Sequence, residues 1–187
     1  MQPRSTSLAL LTGLAVAAVA ASQGGTPAHA IEQAQEHAQH SHYAGREASE
    51  IPSLTEDQLE QLRNGDGMGM ALPAELNHYP GPKHVLELAD DLSLDDGQRR
   101  RTEEIFAAMR ERAQALGGEI IEAERHLNTR FEHGHIDDEA LRERTAAIAT
   151  LYGELRFTHL SAHLQMKELL SEEQVAKYDE LRGYAHQ

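Results

Sequence analysis

Cysteine is absent from all 187 residues, tryptophan is absent too, and aromatics make up only 4% of the chain. Without thiols there is no disulfide, no thiolate metal site, no catalytic cysteine and no cysteine to acylate into a lipid anchor. Any metal must therefore be held by His, carboxylate, Met or backbone oxygen. The scarcity of aromatics leaves a core to be built from Leu, Ile, Ala and Met, which suits helix-on-helix packing better than a sheet sandwich. Positive charge is also short: 17 Lys and Arg stand against 31 Asp and Glu, a formal net charge of -14. Such a surface repels nucleic acid and anionic lipid, and it attracts cations, whether metal ions or basic partners.

Long apolar runs are absent except one, Leu8 to Ala21, which follows Arg4. Ala28-His29-Ala30 offers a small-residue cleavage site after it, and Ala18-Val19-Ala20 a rival one. The run is shorter than the ~20 residues a membrane span needs. Residues 1–30 are therefore expected to be a signal peptide that exports the protein to the periplasm, with an uncleaved anchor as the alternative. Residues 31–50 are polar and His-rich without apolar periodicity, the pattern of a flexible arm.

Residues 51–92 form a segment of short helices. Thr55-x-x-Gln58 is a capping box opening the first, and Asn64-Gly65 closes it. Gly65-Asp66-Gly67-Met68-Gly69-Met70 has the look of a phosphate-binding loop, but no strand precedes it and no βαβ pattern follows, so that reading is rejected. Pro80-Gly81-Pro82 is a turn, and a further short helix is expected from His84 to Leu92. The glycine and proline content of residues 43–84 suggests an ordered arm lying across the rest.

Residues 93–187 carry the strongest pattern. Ile105, Phe106, Met109, Ala113, Leu116, Ile120, Leu127 and Phe131 recur at spacings of three and four, which makes one apolar stripe on a long helix from Asp95 to about Phe131. Gly117-Gly118 inside it predicts a bend. Asp137 caps a second long helix with a stripe through Leu141, Ile148, Tyr152, Leu155, His159, His163, Met166 and Leu170. Ser171-x-x-Gln174 caps a final short helix. So short a loop forces the two long helices antiparallel. The expected fold is all-α, a long antiparallel helical hairpin with short flanking helices, its exposed flank covered by a second copy in a cradle-like homodimer.

On a wheel of about 100° per residue with Ile148 at zero, His159 falls at about 20°, His163 at about 60° and Met166 near zero. All three share the core-facing stripe. Two imidazoles four residues apart can reach one ion, and Met166 could add a soft thioether; equally, the two can be buried histidines bonded to carboxylates or carbonyls of the facing helix. Reflecting the hairpin about its tip sets Glu103, Phe106 and Met109 opposite this level, with Glu103 the candidate carboxylate. His37, His40 and His42 lie within six residues on the arm and could wrap an ion of Ni, Co, Cu or Zn. No Ser, His and Asp set sits in a nucleophile-elbow context, so the chain reads as non-catalytic.

Leu170-Ser171-Glu172-Glu173-Gln174 resembles the LTxxQ box of the CpxP/Spy group of periplasmic proteins, and Leu94-Asp95-Asp96-Gly97-Gln98 is similar to a degraded first copy of it. The hairpin between them, with His159-Leu-Ser-Ala-His163-Leu-Gln-Met166, resembles the heavy-metal-resistance branch that includes CnrX and ZraP. The resemblance covers residues 90–184. It implies a cradle-shaped helical dimer in the periplasm that acts as a metal sensor or buffer, as an ATP-independent chaperone for unfolded envelope proteins, or as a modulator of a membrane-bound stress-sensing kinase. In the CnrX-like branch the metal is held by arm histidines, a glutamate on the first long helix, and a His and a Met four apart on a later one. His37 and His40, Glu103, and His159 with His163 match those places, although a His stands where the family has Met and Met166 is displaced by three.

Overall fold

The computed structural model describes residues 49–184 together with 43, 45 and 46, and from Gly45 onward they form one compact unit. The expected signal peptide, the arm histidines His37, His40 and His42, and the last three residues lie outside the described residues. Among the described residues six helices follow in order: α1 (Glu56–Asn64), α2 (Leu72–Glu75), α3 (Pro82–Glu87), α4 (Asp96–Glu132), α5 (Asp138–Leu169) and α6 (Glu172–Arg182). Among the described residues there is no strand, and no helix is long and apolar enough to cross a membrane. The long helices α4 and α5 pack on each other as an antiparallel hairpin.

Local chemistry sets most of the boundaries. Thr55, Asp95 and Ser171 each accept the backbone N–H of a glutamine three residues on, and that glutamine's side chain accepts the cap residue's own N–H, so orphan donors at the helix start are satisfied in pairs. Asp137 caps α5 by accepting from the Ala140 N–H. α3 opens at Pro82 rather than His84, because proline at the first helical position forfeits an N–H that has no partner there anyway, and it ends at Glu87.

The second and third of these boxes meet. Gln98 Nε2 donates to Gln174 Oε1 at 2.8 Å, and Gln174 Nε2 donates back to Gln98 Oε1 at 2.9 Å. Gln98 also donates to the Leu169 carbonyl and Gln174 to the Leu92 carbonyl, both at 3.2 Å. Two caps far apart in sequence thus form one reciprocal amide clasp at the open end of the hairpin.

Two apolar clusters fill the fold. One joins Leu59 and Leu62 of α1 to Ala113, Leu116 and Ile120 of α4 and Leu155 of α5. The other joins Val85 and Leu92 to Ile105, Ala162, Met166, Leu170, Val175 and Tyr178. Each fully buried Leu or Ile contributes roughly 1.5–3 kcal/mol, so these clusters carry most of the favourable burial. Towards the tip the flanking helices give out, and Phe131 is 55% exposed.

Helix α4 runs through Gly117-Gly118 without interruption, and the first of the two glycines has a packing role there. The reason is a close approach: a Cβ on Gly117 would sit 2.1 Å from the Leu62 carbonyl oxygen, whereas one on Gly118 would meet nothing within 4 Å. Gly117 is the notch that seats the end of α1. Gly118→Ala is therefore expected to raise stability by roughly 0.8–1 kcal/mol, the ordinary helix-propensity gain. Gly117→Ala is expected to lower it by about 1–3 kcal/mol through overpacking. Urea denaturation of the two variants checks the pair; equal shifts of the same sign contradict this packing of α1.

Candidate functional site

Between the two clusters the hairpin carries a polar layer. Leu155 belongs to the first cluster and Ala162 to the second, and His159 and His163 stand at the seam between them, 3% and 7% exposed. The segment from Gly65 to Gly81 passes over this seam as a strap, and its ends are held by α1 and α3 docking on α4. Beneath it lies a cavity of about 620 Å³. Its wall includes Asp66, Gly67, Met68 and Glu75 from the strap, Phe106, Met109 and Arg110 from α4, His159 and His163 from α5, and Arg182 and Tyr184 from the end of the chain.

The two imidazoles differ in their bonding. His163 Nδ1 lies 2.7 Å from the Tyr79 carbonyl oxygen. A carbonyl can only accept, so Nδ1 carries the proton and, in the neutral ring, Nε2 keeps a lone pair. Among the described residues that Nε2 has no hydrogen-bond partner. His159 Nε2 is fully buried and also without a partner. The ring lies against Gly67, where an added Cβ would come within 3.9 Å of Nδ1. Burial lowers the His159 pKa, the neighbouring His163 lowers it further, and Asp66 partly opposes both. A neutral imidazole is thereby favoured at a buried position.

Glu75 anchors the strap. The residue is 7% exposed, and its Oε1 accepts from the Tyr178 hydroxyl at 2.5 Å and the Tyr184 hydroxyl at 3.2 Å. Arg182 Nε is 3.5 Å from the same oxygen, while Oε2 is 3.7 Å from His163 Nδ1. Burial and the Glu75 carboxylate together push the Tyr178 phenol far above its ordinary value, so it stays a donor. One residue beyond the network, Gly81 brings the backbone so close that a Cβ would meet His163 Cε1 at 3.0 Å and Glu75 Oε2 at 3.3 Å. Beside it His78, held at φ 68°, places Nδ1 2.6 Å from Oδ2 of the buried Asp179. The strap is therefore tied to α5 through His163 and to α6 through Tyr178 and Asp179.

Of the residues the sequence offered as ligands, the fold brings His159 and His163 to the cavity and leaves others elsewhere. Met166 shares their face but lies about 10 Å along the axis from His159, at 1.5 Å per residue. It is fully buried in the second apolar cluster and is not part of the cavity wall. Glu103 is exposed and stands outside the wall. The hairpin register is as expected, since Phe106 and Met109 do face the histidines, but Glu103 lies about 100° round from the buried Thr102 and so points away. His37, His40 and His42 lie outside the described residues. Among the described residues, no three His, Cys, Asp or Glu side chains come together as a ready-made metal cluster.

Glu75, Tyr184 and the cavity-facing glycine loop escaped the sequence reading. Nothing periodic marks Glu75, and the glycine loop resembles only a phosphate site that its flanking elements do not support. Compared with protein-family models, curated proteins and solved structures, the chain matches none.

The lowered His159 pKa fixes a sign for the pH dependence of stability. The unfolded chain takes up a proton at this residue near its ordinary pKa of about 6.5, while the folded chain resists it. Its contribution is complete above that value and is lost as the pH falls towards the folded pKa. With a chelator present, the urea midpoint is expected to fall between roughly pH 7 and 5.5, and to fall less in His159→Leu. The same slope in both proteins counts against a buried neutral His159.

Proposed function

We propose that this protein is a non-catalytic metal-binding protein of the cell envelope, a sensor or buffer that holds a transition-metal ion through His159 and His163. The observation that carries the reading is the fully buried His159 Nε2, which has no partner, one helical turn from His163 on the same cavity wall. A buried polar nitrogen left unbonded costs free energy of about 1–3 kcal/mol, which a ligand bond recovers. His163 is already oriented for the role, because its Nδ1–H donates to a backbone carbonyl, the arrangement that fixes the ring and leaves Nε2 as donor atom. Bound there, an ion would supply a charge and a cross-link between α5 and its surroundings. The chain's own residues hold the rings in place.

The broader affiliation rests on the resemblance of the two glutamine caps and the hairpin to the CpxP/Spy and heavy-metal-resistance proteins, with export by residues 1–30 as part of the same reading. His37, His40 and His42 enter it as additional imidazole donors from the arm. Homodimerisation through the open flank of the hairpin is supported by Phe157 and Leu164, 65% and 53% exposed. The alternative, a chaperone role for the hairpin, draws on its arginines, of which Arg99, Arg101 and Arg112 are paired with Asp90, Glu104 and Glu119.

Calorimetric titration with Ni(II), Co(II), Zn(II), Cu(II) and Ag(I) tests the reading. Wild type is expected to bind at least one of them at one ion per chain, and His159→Ala/His163→Ala to bind it at least about tenfold more weakly with helicity retained. Binding that the double substitution leaves unchanged contradicts the site, and no binding of any ion contradicts the function.

A further inference from the structure

The cavity wall holds two thioethers that carboxylate-and-imidazole patterns overlook. Met68 of the strap and Met109 of α4 line the same space as His159 and His163. Met68 adopts φ 49°, in the left-handed region that favours glycine, between Gly67 and Gly69. A side chain kept at some conformational cost, where a neighbouring glycine would fit freely, is the kind of outlier that accompanies function.

The charges of the wall bear on which ion fits. Lys83, Arg110 and Arg182 line it as cations, against Asp66 and Glu75 as anions. The Glu75 carboxylate is already occupied by Tyr178, Tyr184 and Arg182. Asp66 alone is left to offset a new positive charge, and its carboxylate accepts no hydrogen bond among the described residues. A doubly charged ion meets about twice the repulsion that a singly charged one meets from the same cations. The donors themselves are neutral, two imidazoles and two thioethers, and thioether sulfur is a soft ligand that selects Cu(I) over harder divalent ions.

We propose that the ion held under the strap is a soft monovalent one, Cu(I) or its redox-inert counterpart Ag(I), with Met68 and Met109 as ligands beside His159 and His163. This rests on the metal-binding reading above and narrows it to a chemical class. Met166 is not one of the ligands, since it lies in the apolar cluster away from the wall.

The five methionines make the assignment directly testable. In the full chain carrying ¹³C-methyl methionine, titration with Ag(I) is expected to shift the methyl signals of Met68 and Met109 and to leave that of Met166 in place. Met68→Leu and Met109→Leu, near-isosteric in the apolar contacts these residues also make, assign the two signals. Each is expected to weaken Cu(I) affinity, measured anaerobically against a colorimetric Cu(I) chelator, by about tenfold or more while leaving Zn(II) affinity unchanged. A divalent ion bound through His159 and His163, with Cu(I) and Ag(I) moving neither methyl signal, overturns the soft-ion assignment and leaves the broader reading standing. No ion bound by the wild-type chain overturns both.

Discussion

A hairpin of two long helices needs its open end closed, and here a pair of side-chain amides closes it. Gln98 and Gln174 each complete a helix cap, bond to each other, and bond to a carbonyl at the end of a neighbouring segment. All four polar functions of the pair are thus satisfied in a partly buried place, where losing one partner would strand the other. The clasp fixes where α4 begins relative to where α5 ends. That register sets Phe106 and Met109 opposite His159 and His163, and so decides which side chains can share a cavity.

The polar seam is the second consequence. Leucines and isoleucines fill the hairpin on either side of the histidines, and a continuous apolar core through that level would have been the simpler way to bury them. The chain instead keeps two imidazoles there and spends the strap from Gly65 to Gly81 on enclosing them, with Glu75, Tyr178 and the His78–Asp179 pair fastening it down. Buried polar networks of this kind are stabilising only when their members are satisfied. The Glu75 carboxylate is satisfied by two hydroxyls, whereas His159 Nε2, like Asp179 Oδ1 and Arg182 Nε nearby, is buried without a hydrogen-bond partner.

Much of this was readable in the chain because it is local. Thr55, Asp95 and Ser171 announce their helices by the glutamine three residues on, Asp137 by its own capping carboxylate, and the three-and-four spacing of apolar residues puts His159 and His163 on the inward side. What escaped depended on contacts distant in sequence. The sequence around Gly117 predicts only a bend, because nothing nearby reveals that Leu62 will press against it. Glu103 was placed at the right height on α4 but on the wrong side, since folding a hairpin about its tip gives a level and not an azimuth. Glu75 sits in a segment without periodicity, and only the tertiary arrangement shows that two tyrosines and an arginine converge on it.

The central claim is that the two inward imidazoles hold an ion beneath the strap. The most direct measurement is the anomalous scattering of a crystal of the metal-loaded protein. The account predicts one peak per chain in the cavity, within about 2.0–2.4 Å of ring nitrogens of both His159 and His163. A loaded ion found elsewhere, with the cavity empty and the His159 ring unmoved, would contradict it.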